Sequence, residues 1–175
     1  MAVRSPLPGV VEGTCGLRRV GRWRFPVEEL FAGDRTLAKL GRDGSMRIFF
    51  GPGRRVVLDS GVEWRIKAAT SARHIVPILR SEQGTVVVTG PLHAKRSYGI
   101  NGKDFAFFLI PMGHTGVRRA GEWALRRHET EVAMINDRRR TMTTSEPIPV
   151  AAVLMAFTLI THGIPGEANM TPPRD

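Results

Sequence analysis

The side chains capable of chemistry are few, and their spacing argues against catalysis. His74, His93, His114, His128 and His162 are scattered along the chain. None has the His-Glu-x-x-His spacing that sets two imidazoles on one helix face for zinc, because His128-Glu129 continues into Thr130-Glu131-Val132. The single Cys15 excludes a disulfide framework and a multi-cysteine zinc site. It falls in a stretch that reads as a loose arm, where a thiol nucleophile would lack a fixed histidine. No serine stands in a Gly-x-Ser-x-Gly elbow, and Gly51-Pro52-Gly53 lacks the Lys-Ser/Thr of a phosphate loop, so it reads as a turn. His162 reads as a partner for the last carbonyls of a helix. Glu129 and Glu131 share one strand face, as solvent-facing pairs do. Asn169-Met170-Thr171, followed by Pro172, reads as a chance sequon. The expectation is no catalytic residue, no metal ligand set and no cofactor: a protein that is not an enzyme.

The arginines carry the remaining signal. Arg18, Arg22 and Arg24 share one parity, and Arg118 and Arg119 sit in the glycine-rich stretch Gly113–Gly121, where freed backbone amides and guanidinium groups together suit an anion. Arg126 with Arg127 and the run Arg138-Arg139-Arg140 follow. Late strands of a meander are neighbours, so Arg118, Arg119, Arg126, Arg127, Arg138, Arg139 and Arg140 form the candidate anion-binding set. The expected partner is an anionic membrane surface or phospholipid, with a protein-interaction scaffold as the alternative. Nucleic acid ranks lower, because the strands do not show the aromatic-plus-basic pattern of an RNA-recognition or single-strand platform, and only Tyr98, Trp23, Trp64 and Trp123 offer strong stacking.

Composition sets the frame for these residues. The chain has 175 residues, 26 Lys and Arg against 16 Asp and Glu, and a net charge of +10. At 42% hydrophobic and 24% charged, it is neither a disordered tail nor a multi-span membrane protein, and its length suits one domain with a sizeable core. Residues 1–13 contain Pro6, Pro8 and Glu12 and no apolar run of the secretory kind, so a cytoplasmic location, peripheral to membranes, is expected.

The elements that must position the arginines are strands. Leu17, Trp23 and Phe25 alternate with Arg18, Arg22 and Arg24; Val62, Trp64, Ile66 and Ala68 alternate with Glu63, Arg65 and Lys67. Further short segments recur at 36–40, 46–50, 55–58, 74–79, 85–89, 95–100, 105–110, 122–127, 131–135 and 139–143, separated by turn residues. Asn101-Gly102 is the strongest hairpin signal among them. Roughly a dozen strands at such spacing predict an antiparallel meander or barrel.

Ile148–Ile164 differs: it is apolar on nearly every side of a helix, with Ser145 to Pro149 before it and Gly163 and Pro165 after it. About 15 helical residues span roughly 22 Å, short of the ~30 Å core of a bilayer, which favours burial over insertion. A sheet of about a dozen strands encloses more space than its own side chains fill, and this helix would fill it. The predicted class is mainly β: a closed antiparallel barrel of about twelve strands around a hydrophobic C-terminal α-helix. Its parts are a flexible arm over 1–14, a barrel domain over 15–165 with a central helix at 147–162, and a flexible tail over 166–175.

In this order of parts, a meander over about 17–143 and then Pro147-Ile148-Pro149-Val150 opening an apolar helix, the chain resembles the tubby C-terminal-like superfamily, which includes phospholipid scramblases. Ser97-Tyr98-Gly99-Ile100-Asn101-Gly102-Lys103-Asp104-Phe105 is similar to the hairpins before the final strands of those domains. The resemblance implies binding of anionic lipid headgroups through surface Lys and Arg. The chain departs from the scramblases in lacking a cysteine-rich palmitoylation segment and an acidic Asp-x-Asp-x-Asp calcium loop.

Overall fold

Alternation of apolar and polar residues builds the wall of this protein. The structure, a computed structural model, describes residues 9–21, 27–42, 54–71, 74–92, 97–113 and 121–162. In chain order the strands are β1 (Val10–Val11), β2 (Thr14–Val20), β3 (Val27–Ala32), β4 (Arg35–Arg42), β5 (Arg54–Leu58), β6 (Glu63–Ser71) and β7 (His74–Ser81). They continue as β8 (Gly84–Pro91), β9 (Tyr98–Gly102), β10 (Ala106–Met112), β11 (Glu122–Arg127), β12 (Thr130–Asn136), β13 (Thr141–Thr144) and β14 (Ile148–Pro149), and the helix α1 (Val150–His162) closes the order.

Strands β2 to β13 each pair antiparallel with the next, and β13 pairs back onto β2 through Met142↔Cys15, closing a barrel of twelve strands. Closure satisfies every edge that an open sheet would leave unpaired. Beyond its ladder, the β13–β2 seam is held by the Leu17 N–H to the Arg140 carbonyl (2.9 Å), the Thr144 N–H to the Gly13 carbonyl (2.9 Å), and the Gly13 N–H to Thr144 Oγ1 (2.9 Å). Gly16 fits closely there: a Cβ would lie 3.0 Å from the Arg140 carbonyl oxygen and 3.1 Å from the Phe31 ring, so a larger residue would need its neighbours to shift.

The helix occupies the interior. Every residue from Val150 to Ile160 is buried, packed with Leu30, Leu79, Ile100, Phe107, Leu109, Leu125, Ile135 and Met142 from the wall. Burial of a large apolar side chain contributes about 1.5–3 kcal/mol, so the helix and the inner wall stabilise each other. Thr158, buried on this apolar helix, donates its hydroxyl to the Leu154 carbonyl at 2.8 Å, so no polar atom of its side chain is left unpaired. The helix runs closest to β7, β8 and β9, so it is off the barrel axis.

Several expected boundaries are corrected. The loose arm over 1–14 does not extend to its last residues: Val10 and Val11 pair with Pro149 and Ile148, and Thr14 begins β2. Cys15 is therefore an inward, buried strand residue. The helix begins at Val150 rather than 147, because Ile148 precedes a proline, which disfavours helical backbone, and spends its pairing on Val11. The β9–β10 hairpin exists, but its turn is Lys103-Asp104. Asn101 pairs with Ala106, the Gly102 N–H donates to the Phe105 carbonyl at 2.9 Å, and the Phe105 ring fills the space a Gly102 side chain would take. The last predicted strand starts at Thr141 rather than 139, since Arg139 and Arg140 belong to a turn. On β6 only Ile66 of the expected inner face is fully buried; Trp64 is half-buried and Val62 and Ala68 are exposed. The segments 22–25 and 46–50, the start of 95–100, and the tail 166–175 lie outside the described residues.

Candidate functional site

Because the strands run up and down, alternate connections fall at opposite ends of the barrel. One end, the base, carries the starts of β2 and α1 and the β1–β14 ladder; the other, the mouth, carries the β12–β13 turn. Among the described residues, the connections at the mouth hold Arg138, Arg139 and Arg140 against Asp137, and the five at the base hold Lys103 against Asp34, Asp59, Glu82, Asp104 and Glu129. The described turns are thus basic at the mouth and acidic at the base.

At the mouth, charged residues stand on the inward parity of strands. Glu28 shares the face of buried Leu30 on β3, and Arg54 shares that of Val56 and Leu58 on β5. Glu28 Oε2 accepts from Arg54 Nη1 at 2.5 Å, and Glu28 Oε1 accepts from Arg140 Nη2 at 2.6 Å. Arg140 comes from the β12–β13 turn, at φ 54°, so one carboxylate ties β5 and that turn together from either side of β3. Burial pushes the Glu28 carboxyl up, but the two guanidinium groups outweigh it and hold it below the usual carboxylate range. Arg19, opposite Glu28 in the β2–β3 ladder, shares its face and is exposed.

The β12–β13 turn is built by its own sequence. Asn136 Oδ1 accepts the Arg139 N–H at 2.9 Å, an Asx turn, and the Asp137 N–H donates to the Gly121 carbonyl at 3.0 Å. Arg138 and Arg139 are exposed, and among the described residues no carboxylate lies within ion-pair distance of either or of Arg19. Elsewhere on the wall several cations are paired, Arg18 and Lys39 with Glu29, Arg55 with Glu63, and Arg35 with Asp59, whereas Lys67 and Arg80 have no carboxylate within ion-pair distance among the described residues.

The expected arginine set is divided by this geometry. Arg138, Arg139 and Arg140 stand together at the mouth, whereas Arg126 and Arg127 end β11 at the base, a strand length away. Arg127 is engaged there, 2.9 Å from Glu146 and 5.4 Å from the Phe107 ring centroid. Arg126 is half-buried, with its Nε enclosed. Arg118 and Arg119 lie outside the described residues, in the connection whose flanks Met112 and Glu122 pair at the mouth. Sequence reasoning missed Glu28, Arg54 and Arg19; the available signal was a charge on the apolar parity of each strand.

Burial raises the Cys15 thiol to about 12, which keeps it protonated and inert. Among the described residues no group of three His, Cys, Asp or Glu is placed to hold a metal, and no helix is long and apolar enough to cross a membrane. No family model, curated protein or solved structure matches the chain.

Proposed function

We propose that this is a non-enzymatic, tubby-like binding domain that docks its basic mouth on an anionic phospholipid surface. The observation that carries the reading is the sorting of charge in the turns: Arg19, Arg138 and Arg139, with no ion-pair partner among the described residues, stand at one end of a barrel whose other end has acidic turns. A molecule so polarised approaches a negative surface mouth first, and each arginine near such a surface contributes about 1 kcal/mol. The resemblance to tubby-like proteins, whose surface Lys and Arg hold lipid headgroups, points the same way.

The test is sedimentation of the protein with phosphatidylserine-containing vesicles against pure phosphatidylcholine vesicles at low salt. Preferential binding to the anionic vesicles is expected, weakening as salt screens it. Replacing Arg138 and Arg139 together by Gln is expected to weaken it about thirtyfold, from ~2 kcal/mol. Equal binding to both vesicle types overturns the reading.

A further inference from the structure

At the base, the interior is incompletely filled. The helix leans toward β7, β8 and β9, and on the side of β4, β5 and β6 a cleft of about 490 Å³ remains beside its first turn. Protein interiors are close-packed, with few voids larger than a water molecule, whereas small-molecule sites commonly measure about 300–1,000 Å³ and are mainly apolar. The walls here are Leu37, Leu58, Trp64, Val86, Val150 and Ala151. Val62, also on the lining, is 48% exposed, one of two large hydrophobic residues so exposed among the described residues. The charged lining residues are Arg35 and Asp59, paired with each other. Arg35 directs Nε and Nη2 at Asp59 Oδ2 while its side chain stays 70% exposed, and among the described residues Nη1 has no acceptor, so it can donate to a ligand.

We propose that this cleft binds a single-chain carboxylate lipid of the fatty-acid class, its hydrocarbon against Trp64 and the first turn of α1 and its carboxylate on Arg35. An apolar cavity open to solvent gains most from hydrocarbon, which displaces water that has few partners there. A guanidinium with a spare donor fixes a carboxylate at the end of that chain. The site is at the opposite end of the barrel from the mouth and stands apart from vesicle docking.

The experiment is titration of the full chain with monomeric decanoate, followed by calorimetry and tryptophan fluorescence, with decyltrimethylammonium as the opposite-charge probe. Saturable binding at one decanoate per chain, with a change in fluorescence and no binding of the cation, is expected. Val86→Trp, which fills the cleft from a half-buried position, is expected to abolish binding while circular dichroism stays native. Arg35→Gln, at an exposed site, is expected to weaken binding about tenfold. Absence of saturable decanoate binding overturns the proposal. So does equal binding of the cation, or wild-type affinity in both variants.

Discussion

Glu28 is the residue on which the mouth depends. One carboxylate accepts from Arg54 and Arg140, and it is the acceptor both guanidinium groups share. In Glu28→Gln an amide replaces one acceptor oxygen and faces a guanidinium with its own donors. A loss of about 1–3 kcal/mol at neutral pH is expected in urea unfolding. The pH dependence follows from the direction of the shift. The folded carboxyl is held below its unfolded value of about 4.3, so the unfolded chain binds the proton more readily. Its stabilisation is complete above that value and is lost as pH falls through the depressed folded value. Wild type and Glu28→Gln should therefore differ at neutral pH and converge in acid; a constant difference down through that range would refute the pairing. Arg140 adds a backbone constraint, since its φ of 54° is a conformation that non-glycine residues seldom adopt.

The helix and its surrounding strands are one energetic unit at the scale of elements. An isolated 13-residue helix is marginal in water, and an open twelve-stranded sheet would expose its apolar face, so neither is stable without the other. Phe157 is buried in this interface, and the buried polar side chain of the helix, that of Thr158, is already satisfied by Leu154. Phe157→Asp is expected to unfold the whole domain, because it buries a charge without a partner. Retention of the β-sheet circular dichroism spectrum and a cooperative melt would contradict an interior helix. Phe157→Leu, which keeps the site apolar, should fold with a modest loss.

At the scale of the whole molecule, the two ends are predicted to act separately. Arg138→Gln/Arg139→Gln should lose anionic vesicle binding yet keep wild-type decanoate affinity, and Val86→Trp should do the reverse. Coupled losses in both variants would mean that each disturbs the fold rather than its own end. Charge reversal at the base tests the same point: Glu82→Lys/Glu129→Lys, in the β7–β8 and β11–β12 turns, should leave the salt-sensitive vesicle binding of the mouth within about twofold.

Much of this was legible in the chain itself. Period-two alternation, the turn residues between the segments and one all-apolar run near the C-terminus determined a meander closed around a helix, because these are local patterns and burial enforces them. The net charge and the arginine runs were equally plain. What only the tertiary structure decided was which residues meet. Arg127 and Arg138 are eleven residues apart, yet β12 carries them to opposite ends, while Glu28 and Arg140 are brought within 2.6 Å by closure of β13 on β2. Cys15 read as part of an arm until that closure buried it. Strand alternation is a local property, but the end of the barrel at which a turn emerges depends on the count and direction of every strand before it. That is why the charge was visible from composition and its polarity only from the fold.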